Sequence, residues 1–304
     1  MEIKAQMVKE LREKTGAGFM DCKAALAEAG GDFEQAQVIL RKRGVAIAEH
    51  KAARAANDGL IVSYLSPDGR VGALVEVNCE TDFVAKTPEF LKLAAEIARL
   101  VAERSPGAIR AEQNQKSGSA ALYDLELPSS ETVSEALKAA VAKFGENMAV
   151  RRFERLQVPV GGALGCYIHA GGKIGVMVVL RVPAGGGERA RTLARDLAMH
   201  VCAASPTYIT PADIPAPVLE REREIARDQM AGSGKPPAVI EKIIDGKLKK
   251  FYSEVCLVEQ PYVRDESKTV AALLTEAGKQ LDGPVEVERF VRYQLGGEGE
   301  KENE

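Results

Sequence analysis

The middle of the chain is duplicated, and this repeat limits what the sequence can fold into more than any other feature. At an offset of 103 residues Gly59, Tyr64, Gly69, Arg70, Val71, Gly72 and Val75 stand opposite Gly162, Tyr167, Gly172, Lys173, Ile174, Gly175 and Val178. Each copy reads as strand, glycine-containing turn, strand. At an offset of 100, Leu93-Ala94, Glu96, Ile97, Ala98 and Val101 face Leu193-Ala194, Asp196, Leu197, Ala198 and Val201. A helix therefore follows each hairpin, opened in the first copy by Thr87 as N-cap and Pro88 at the first helical position. Two homologous α+β lobes follow. The copies part between the second strand and the helix, where Glu80-Thr81-Asp82-Phe83 faces Arg181-Val182-Pro183-Ala184-Gly185-Gly186-Gly187. Structure needs only a connection there, so a shared scaffold with one specialised loop puts function on that loop.

Residues 1–45 read as three short amphipathic helices. Ile3, Met7, Val8 and Leu11 recur at helical spacing before Gly16-Ala17-Gly18. A second helix over 20–29 turns Cys22, Ala25 and Leu26 inward and ends at Gly30-Gly31. Asp32 with Gln35 opens a third, whose Phe33, Ala36, Ile39 and Leu40 form a stripe before Gly44. The unit resembles a ubiquitin-associated (UBA) domain in shape, which does not itself imply ubiquitin binding. Residues 45–57, rich in Ala, Lys and Arg, read as a helical or semi-rigid tether.

Beyond Pro215, residues 218–231 and 237–252 read as charged helices joined by Gly232-Ser233-Gly234-Lys235-Pro236-Pro237. Ile240, Ile243, Ile244, Leu248 and Phe251 stripe one, and Leu219, Ala226 and Met230 the other. So short a turn predicts an antiparallel, coiled-coil-like helical hairpin, each arm ~20–25 Å long. The chain then returns through 254–263, forms a helix over 268–279 and ends on the strand-like alternation Val285, Val287, Val291, Tyr293. The expected division is 1–54 helical domain and tether, 55–157 lobe one, 158–214 lobe two, 215–252 hairpin, 253–295 return to lobe two, and 296–304 a disordered Gly/Glu/Lys/Asn tail. The fold class is α+β.

Several function classes are excluded. No run approaches the ~18 apolar residues of a membrane span, and the start has neither a signal-peptide core nor an Arg/Ser-rich transit composition. Five cysteines form an odd set without a C-x-x-C pair, which argues against disulfides or zinc and for a cytoplasmic protein. A formal charge of −3 gives no basic footprint, so direct nucleic-acid binding is not expected. Gly234-Lys235 fails as a phosphate loop, with Gln229 where the first glycine belongs and Pro236 where Ser or Thr must hold magnesium. His200 with Cys202 lacks further ligands at a telling spacing and reads as core. Neither a catalytic constellation, a cofactor nor a metal site is expected, so the chain does not read as an enzyme. A carboxylate pair of Glu80 and Asp82 without a supporting His, Lys or metal is weak ground for one.

Asn78-Cys79-Glu80-Thr81-Asp82-Phe83-Val84-Ala85-Lys86 and Thr15-Gly16-Ala17-Gly18-Phe19-Met20-Asp21-Cys22-Lys23-Ala24-Ala25-Leu26 closely resemble the two signatures of the bacterial elongation factor Ts family. Further matches are Phe144-Gly145-Glu146-Asn147 with Arg151-Arg152, the stretch from Tyr167 and His169 to Gly175, Ser233-Gly234-Lys235-Pro236 and Lys249-Lys250-Phe251. The resemblance spans nearly the whole chain. It implies a guanine-nucleotide exchange factor that binds elongation factor Tu, GDP-bound and nucleotide-free, and releases GDP by disturbing the magnesium and phosphate site. Read alone, Asp82 and Phe83 cap or plug lobe one, whereas the resemblance implies that they insert beside the magnesium site of the GTPase. The same resemblance implies contacts by Val84, by Phe144, whose default is packing, by His169, otherwise a turn residue, and by Arg12 and Met20 at the end of the N-terminal bundle. Thr81 shapes the turn. A different reading makes the N-terminal bundle a ubiquitin-type or RNA-associated adaptor. Dimerisation through lobe two, and contact between the hairpin and the GTPase, stay open. Some family members carry a further C-terminal helix that this sequence lacks after Leu295.

Overall fold

In a computed structural model, residues 3–110, 113, 119–159, 161–183, 186–230, 233 and 236–297 are described. Each copy of the repeat is a three-stranded antiparallel sheet with a helix across one face. In lobe one β1 (Asp58–Leu65), β2 (Val71–Cys79) and β3 (Ala149–Gln157) lie in the order β1-β2-β3 under α5 (Pro88–Arg104). In lobe two β4 (Gly162–His169), β5 (Ile174–Arg181) and β8 (Glu286–Gln294) lie in the order β4-β5-β8 under α7 (Gly187–Ala204). Thr87 caps α5 as expected, its hydroxyl accepting from the Phe90 N–H. Both helices stop at a serine in the left-handed region, Ser105 and Ser205, again 100 residues apart.

The third strand of each lobe is duplicated too, at an offset of 137. Val150, Arg152, Phe153, Arg155 and Gln157 correspond to Val287, Arg289, Phe290, Arg292 and Gln294. A β-bulge falls between Glu76 and Val77 in one lobe and between Val179 and Leu180 in the other, at equivalent positions. The bulge thus belongs to the repeated unit.

The two sheets pack back to back, which is why β2 and β5 read as nearly continuous apolar runs. Side chains alternate across a strand. Ala73, Val75 and Val77 face α5, and Val176, Val178 and Leu180 face α7. Ile61, Leu74, Leu164 and Met177 meet in the seam between the lobes. A Cβ at Gly72 would lie 2.6 Å from Leu164 Cδ2, and one at Gly175 2.5 Å from Ile61 Cγ2. Gly72 and Gly175 are repeat equivalents, as are Ile61 and Leu164, so each lobe receives the other's side chain over its own glycine in a pseudo-twofold arrangement.

At the N-terminus α1 (Ala5–Thr15), α2 (Phe19–Glu28) and α3 (Phe33–Lys51) bury Val8, Leu11, Cys22, Ala25, Leu26 and Ala36 together. Gly16 ends α1 in the left-handed region, and the Asp32 carboxylate caps α3 at the Gln35 N–H. Gly44 does not stop α3, as the sequence reading had it. It lies mid-helix, where an added Cβ would come 3.1 Å from that of Ala142 on α6 (Val133–Phe144), so the missing side chain admits a neighbouring helix. Arg41 on α3 also pairs with Glu135 on α6.

α8 (Ala216–Asp228) and α9 (Pro237–Val255) pack on each other through Ala226, Ile244 and Leu248, with Leu219 and Ile240 beside them. Tyr252, not Phe251, completes that stripe. Of the connecting segment, Gly232, Gly234 and Lys235 lie outside the described residues. A short hairpin absent from the sequence reading, β6 (Pro261–Tyr262) with β7 (Asp265–Thr269), precedes α10 (Val270–Gln280). The tail expected to be disordered begins instead with ordered contacts, Gly296 donating to Glu76 Oε1 at 3.0 Å and Gly297 accepting from Arg151 at 3.2 Å. Residues 298–304 lie outside the described residues. No described helix is long and apolar enough to cross a membrane.

His200 is fully buried on α7, bonded through Nε2 to Gln260 Oε1 at 3.0 Å and accepting the Val263 N–H at Nδ1. The ring is a neutral tautomer, and burial holds its imidazolium below the ordinary 6.5. Since the unfolded chain binds that proton more readily, this contribution to stability is complete above about pH 6.5 and is lost as pH falls toward the depressed folded value. Melting temperatures measured from pH 7.5 to 5 should therefore fall less steeply for His200→Leu than for wild type, even though the variant starts lower. Equal slopes would remove His200 from the acid response.

Candidate partner-binding site

After β2 the chain makes a single helical turn, α4 (Asp82–Ala85), before Thr87 opens α5. Thr81 is its N-cap, its hydroxyl accepting from the Val84 N–H at 3.5 Å. The helical period turns Val84 and Ala85 into the core of lobe one and Phe83 out, where 80% of its surface is exposed. Phe83 plugs nothing, and Val84 is an anchor beneath the turn. Asp82, beside the ring, pairs with Lys86 at 2.5 Å. Below, the Cys79 thiol donates to Thr81 O at 3.1 Å, and burial pushes its pKa up to about 12, so the group stays protonated.

The motif at 144–147 lies against this turn. Glu146 takes the Thr81 hydroxyl at 2.7 Å and the Thr81 N–H at 3.0 Å, while Glu80 takes the Asn147 N–H at 2.7 Å. The Asn147 side chain donates to Arg54 O at 2.7 Å, and the Arg54 guanidinium lies 3.2 Å from Glu80. Phe144 is half-buried against the core of lobe one with Lys143 over its ring. Both motifs are legible in the sequence, but the grip of one on the other is not, because 65 residues separate Thr81 from Glu146.

The remaining residues lie on other elements. His169 ends β4, exposed, its Nδ1 2.9 Å from the Tyr167 hydroxyl. Arg12 is exposed on α1. Met20 is 70% exposed, with Phe19 beside it at 45%. The Cys22, Ala25, Leu26 stripe carries the signal for Met20, which falls off it, but not for Phe19, which is in phase with Cys22 and Leu26 and is exposed as the first residue of α2. In lobe two the segment opposite α4 lies between Arg181 and Gly187 and includes Ala184 and Gly185, which are outside the described residues. Among the described residues no three His, Cys, Asp or Glu side chains gather as metal ligands. An exposed aromatic ring on a short braced turn, flanked by a carboxylate, has the chemistry to dock against another surface.

A sequence model of the family described as Elongation factor TS matches residues 80–297. Relatives named Elongation factor Ts match along nearly the whole chain. That of Clostridium perfringens is 43% identical over 302 residues, covering 99% of this chain and 96% of its own length. That of Aquifex aeolicus is 44% identical over 297 residues, covering 98% and 99%. That of Thioalkalivibrio sulfidiphilus is 46% identical over 304 residues, covering 100% and 96%.

Proposed function

The chain belongs to the elongation factor Ts family, and from that premise we propose that it exchanges nucleotide on elongation factor Tu through the Asp82–Phe83 turn. The family's role in translation elongation is that of a guanine-nucleotide exchange factor, which makes and breaks no covalent bond. Exchange is linkage: a protein that binds the nucleotide-free GTPase more tightly than the nucleotide-bound form must weaken nucleotide binding by the same factor. A hundredfold weakening corresponds to ~2.7 kcal/mol of coupling. Displacing magnesium is a sound route, because the ion screens the phosphate charge that otherwise opposes tight binding. Phe83 acts as the wedge, Asp82 holds its approach, and Thr81 and Val84 fix the turn from behind. Arg12 and Met20 on the N-terminal bundle, Phe144 and His169 grip elsewhere on the GTPase.

One observation carries this reading, the 80% exposure of Phe83 on a turn whose other apolar side chains are buried. The division into units at 54, 157, 214 and 252, the UBA-like and coiled-coil character of the helical parts, and a cytoplasmic location belong to the same proposal. The adaptor reading is not favoured, since the relatives match along nearly their full length and not over the N-terminal bundle alone. Release of a fluorescent GDP analogue from elongation factor Tu, with and without this protein, tests the function. Acceleration that saturates with concentration is expected, and its absence would defeat the reading.

The hairpin is expected to matter less. Its apolar residues form a cluster of their own, apart from the lobe cores. Replacing residues 219–251 by a short Gly-Ser link should therefore cost less GDP release than changing the 82–83 turn. A well-folded shortened form with no activity would reverse that ranking.

A further inference from the structure

We propose that Glu146 is a positioning residue for nucleotide exchange, acting with Glu80 and Asn147 as a reciprocal lock that sets the direction of the Asp82–Phe83 turn and ties it to the end of α3. The inference rests on the wedge reading of Phe83 and adds what aims the wedge. A four-residue helix cannot hold its own orientation, since isolated helices shorter than ~12–15 residues are marginal in water. Its direction must come from outside. Burial of Val84 and Ala85 fixes its depth, and Glu146 fixes its start.

The two Glu146 oxygens divide their work. Oε2 takes the Thr81 N–H at 3.0 Å and Oε1 the Thr81 hydroxyl at 2.7 Å, so the hydroxyl proton is committed to the carboxylate and its lone pair is left for the Val84 N–H. Backbone and rotamer of the N-cap are thus set by one side chain, through charge-assisted bonds stronger than neutral ones. The neighbouring residues repeat the contact in reverse, Glu80 Oε1 accepting the Asn147 N–H at 2.7 Å. Asn147 extends the lock to the chain leaving α3 through Arg54 O at 2.7 Å and Ala52 O at 3.4 Å, and Arg54 closes it on Glu80 at 3.2 Å. The bundle that bears Arg12 and Met20 and the turn that bears Phe83 are therefore presented as one body. In lobe two the chain enters β8 through Asp282-Gly283-Pro284-Val285, without the Glu-Asn pair, and the repeat folds all the same. Folding alone does not require the lock.

Glu146→Ala, Glu146→Gln and Phe83→Ala should be compared in GDP release from elongation factor Tu across a concentration series of the full chain, with a melting curve for each. A misaimed wedge lowers the maximal release rate, whereas partial unfolding only lowers the active concentration and leaves the rate at saturation unchanged. Glu146→Ala is expected to lower the maximal rate about tenfold or more with the half-saturating concentration little changed, since a small displacement of a positioned group is costly. Glu146→Gln, which keeps one acceptor, should fall between. In a Phe83→Ala background Glu146→Ala should add little. Should Glu146→Ala fail to fold, Thr81→Val removes the hydroxyl's bond to Glu146 together with its cap on the Val84 N–H, keeps the Thr81 N–H bond to Glu146, and should show a loss of maximal rate in the same direction. A wild-type maximal rate for the folded Glu146 or Thr81 variant overturns the lock provided Phe83→Ala is slow. If Phe83→Ala also releases GDP at the wild-type rate, the wedge itself has failed and the lock with it.

Discussion

Phe83→Ala should slow GDP release from elongation factor Tu on the order of 100-fold while hardly moving this protein's own melting temperature. The ring leaves 80% of its surface to solvent and supports little within lobe one. Exposed positions outside caps and networks usually change stability by no more than about 0.5 kcal/mol. Docked and desolvated at the centre of a contact, the same ring is worth ~3 kcal/mol or more, which is the stated slowing. Asp82→Ala should act in the same direction, because its pair with Lys86 is solvent-screened and contributes little to folding. The double variant should lose less than the sum, since adjacent side chains in one contact share their energy. Stopped-flow release beside a denaturation curve decides the matter. A melting temperature lowered by several degrees with exchange per folded molecule unchanged would make Phe83 a structural residue.

Most of what the sequence made legible came from the repeat. Hairpin and helix keep a nearly constant offset, so Gly72 and Gly175, or Thr87 and Pro88, could be interpreted from their own neighbourhoods. The third strands could not, because the insertion carrying α8 and α9 moves their offset to 137 and separates Phe290 from its twin Phe153. Gly44 shows the commonest source of error, a residue whose reason lies elsewhere in the chain. A glycine after an apolar stripe signals a helix end, and only Ala142 explains why this one does not. The same limit applied to the site: the divergent loop was found by comparing the copies, whereas Glu146 stayed an unassigned motif residue because Thr81 is remote in sequence. Tyr252 in place of Phe251 is a smaller fault, one position in the phase of a helical stripe. Glu76 gave no local sign at all, since a carboxylate in a strand is ordinarily read as facing water.

Glu76→Ala should cost about 3–5 kcal/mol, because it breaks a charge pair buried in the seam between the lobes. Strand alternation puts Glu76 on the side of Leu74, facing lobe two, where it is fully buried. Its Oε2 accepts from Arg152 Nε at 2.8 Å, and its Oε1 accepts from Gly296 N at 3.0 Å and Asn78 Nδ2 at 3.3 Å. Arg152 in turn spans the seam, donating to Gln294 O at 2.9 Å with its guanidinium 4.1 Å from the centroid of the Tyr293 ring. Alanine would leave that guanidinium, 14% exposed, without its carboxylate, and the ordered start of the tail without its acceptor. The melting temperature should fall on the order of 10 °C. Urea denaturation should show a lower midpoint at unchanged slope, the mark of lost stability without a change in the surface exposed. Lobe two solves the equivalent position differently, with Val179 opposite Arg289, whose partner Glu154 lies near the surface. Replacing both partners, Glu76→Val with Arg152→Leu, should therefore recover much of the loss, as apolar replacement of a buried pair commonly does. A double variant as unstable as Glu76→Ala would mean that the pair contributes through the tail contact and not through charge burial, and a single variant costing under about 1 kcal/mol would remove it from the seam's stability altogether.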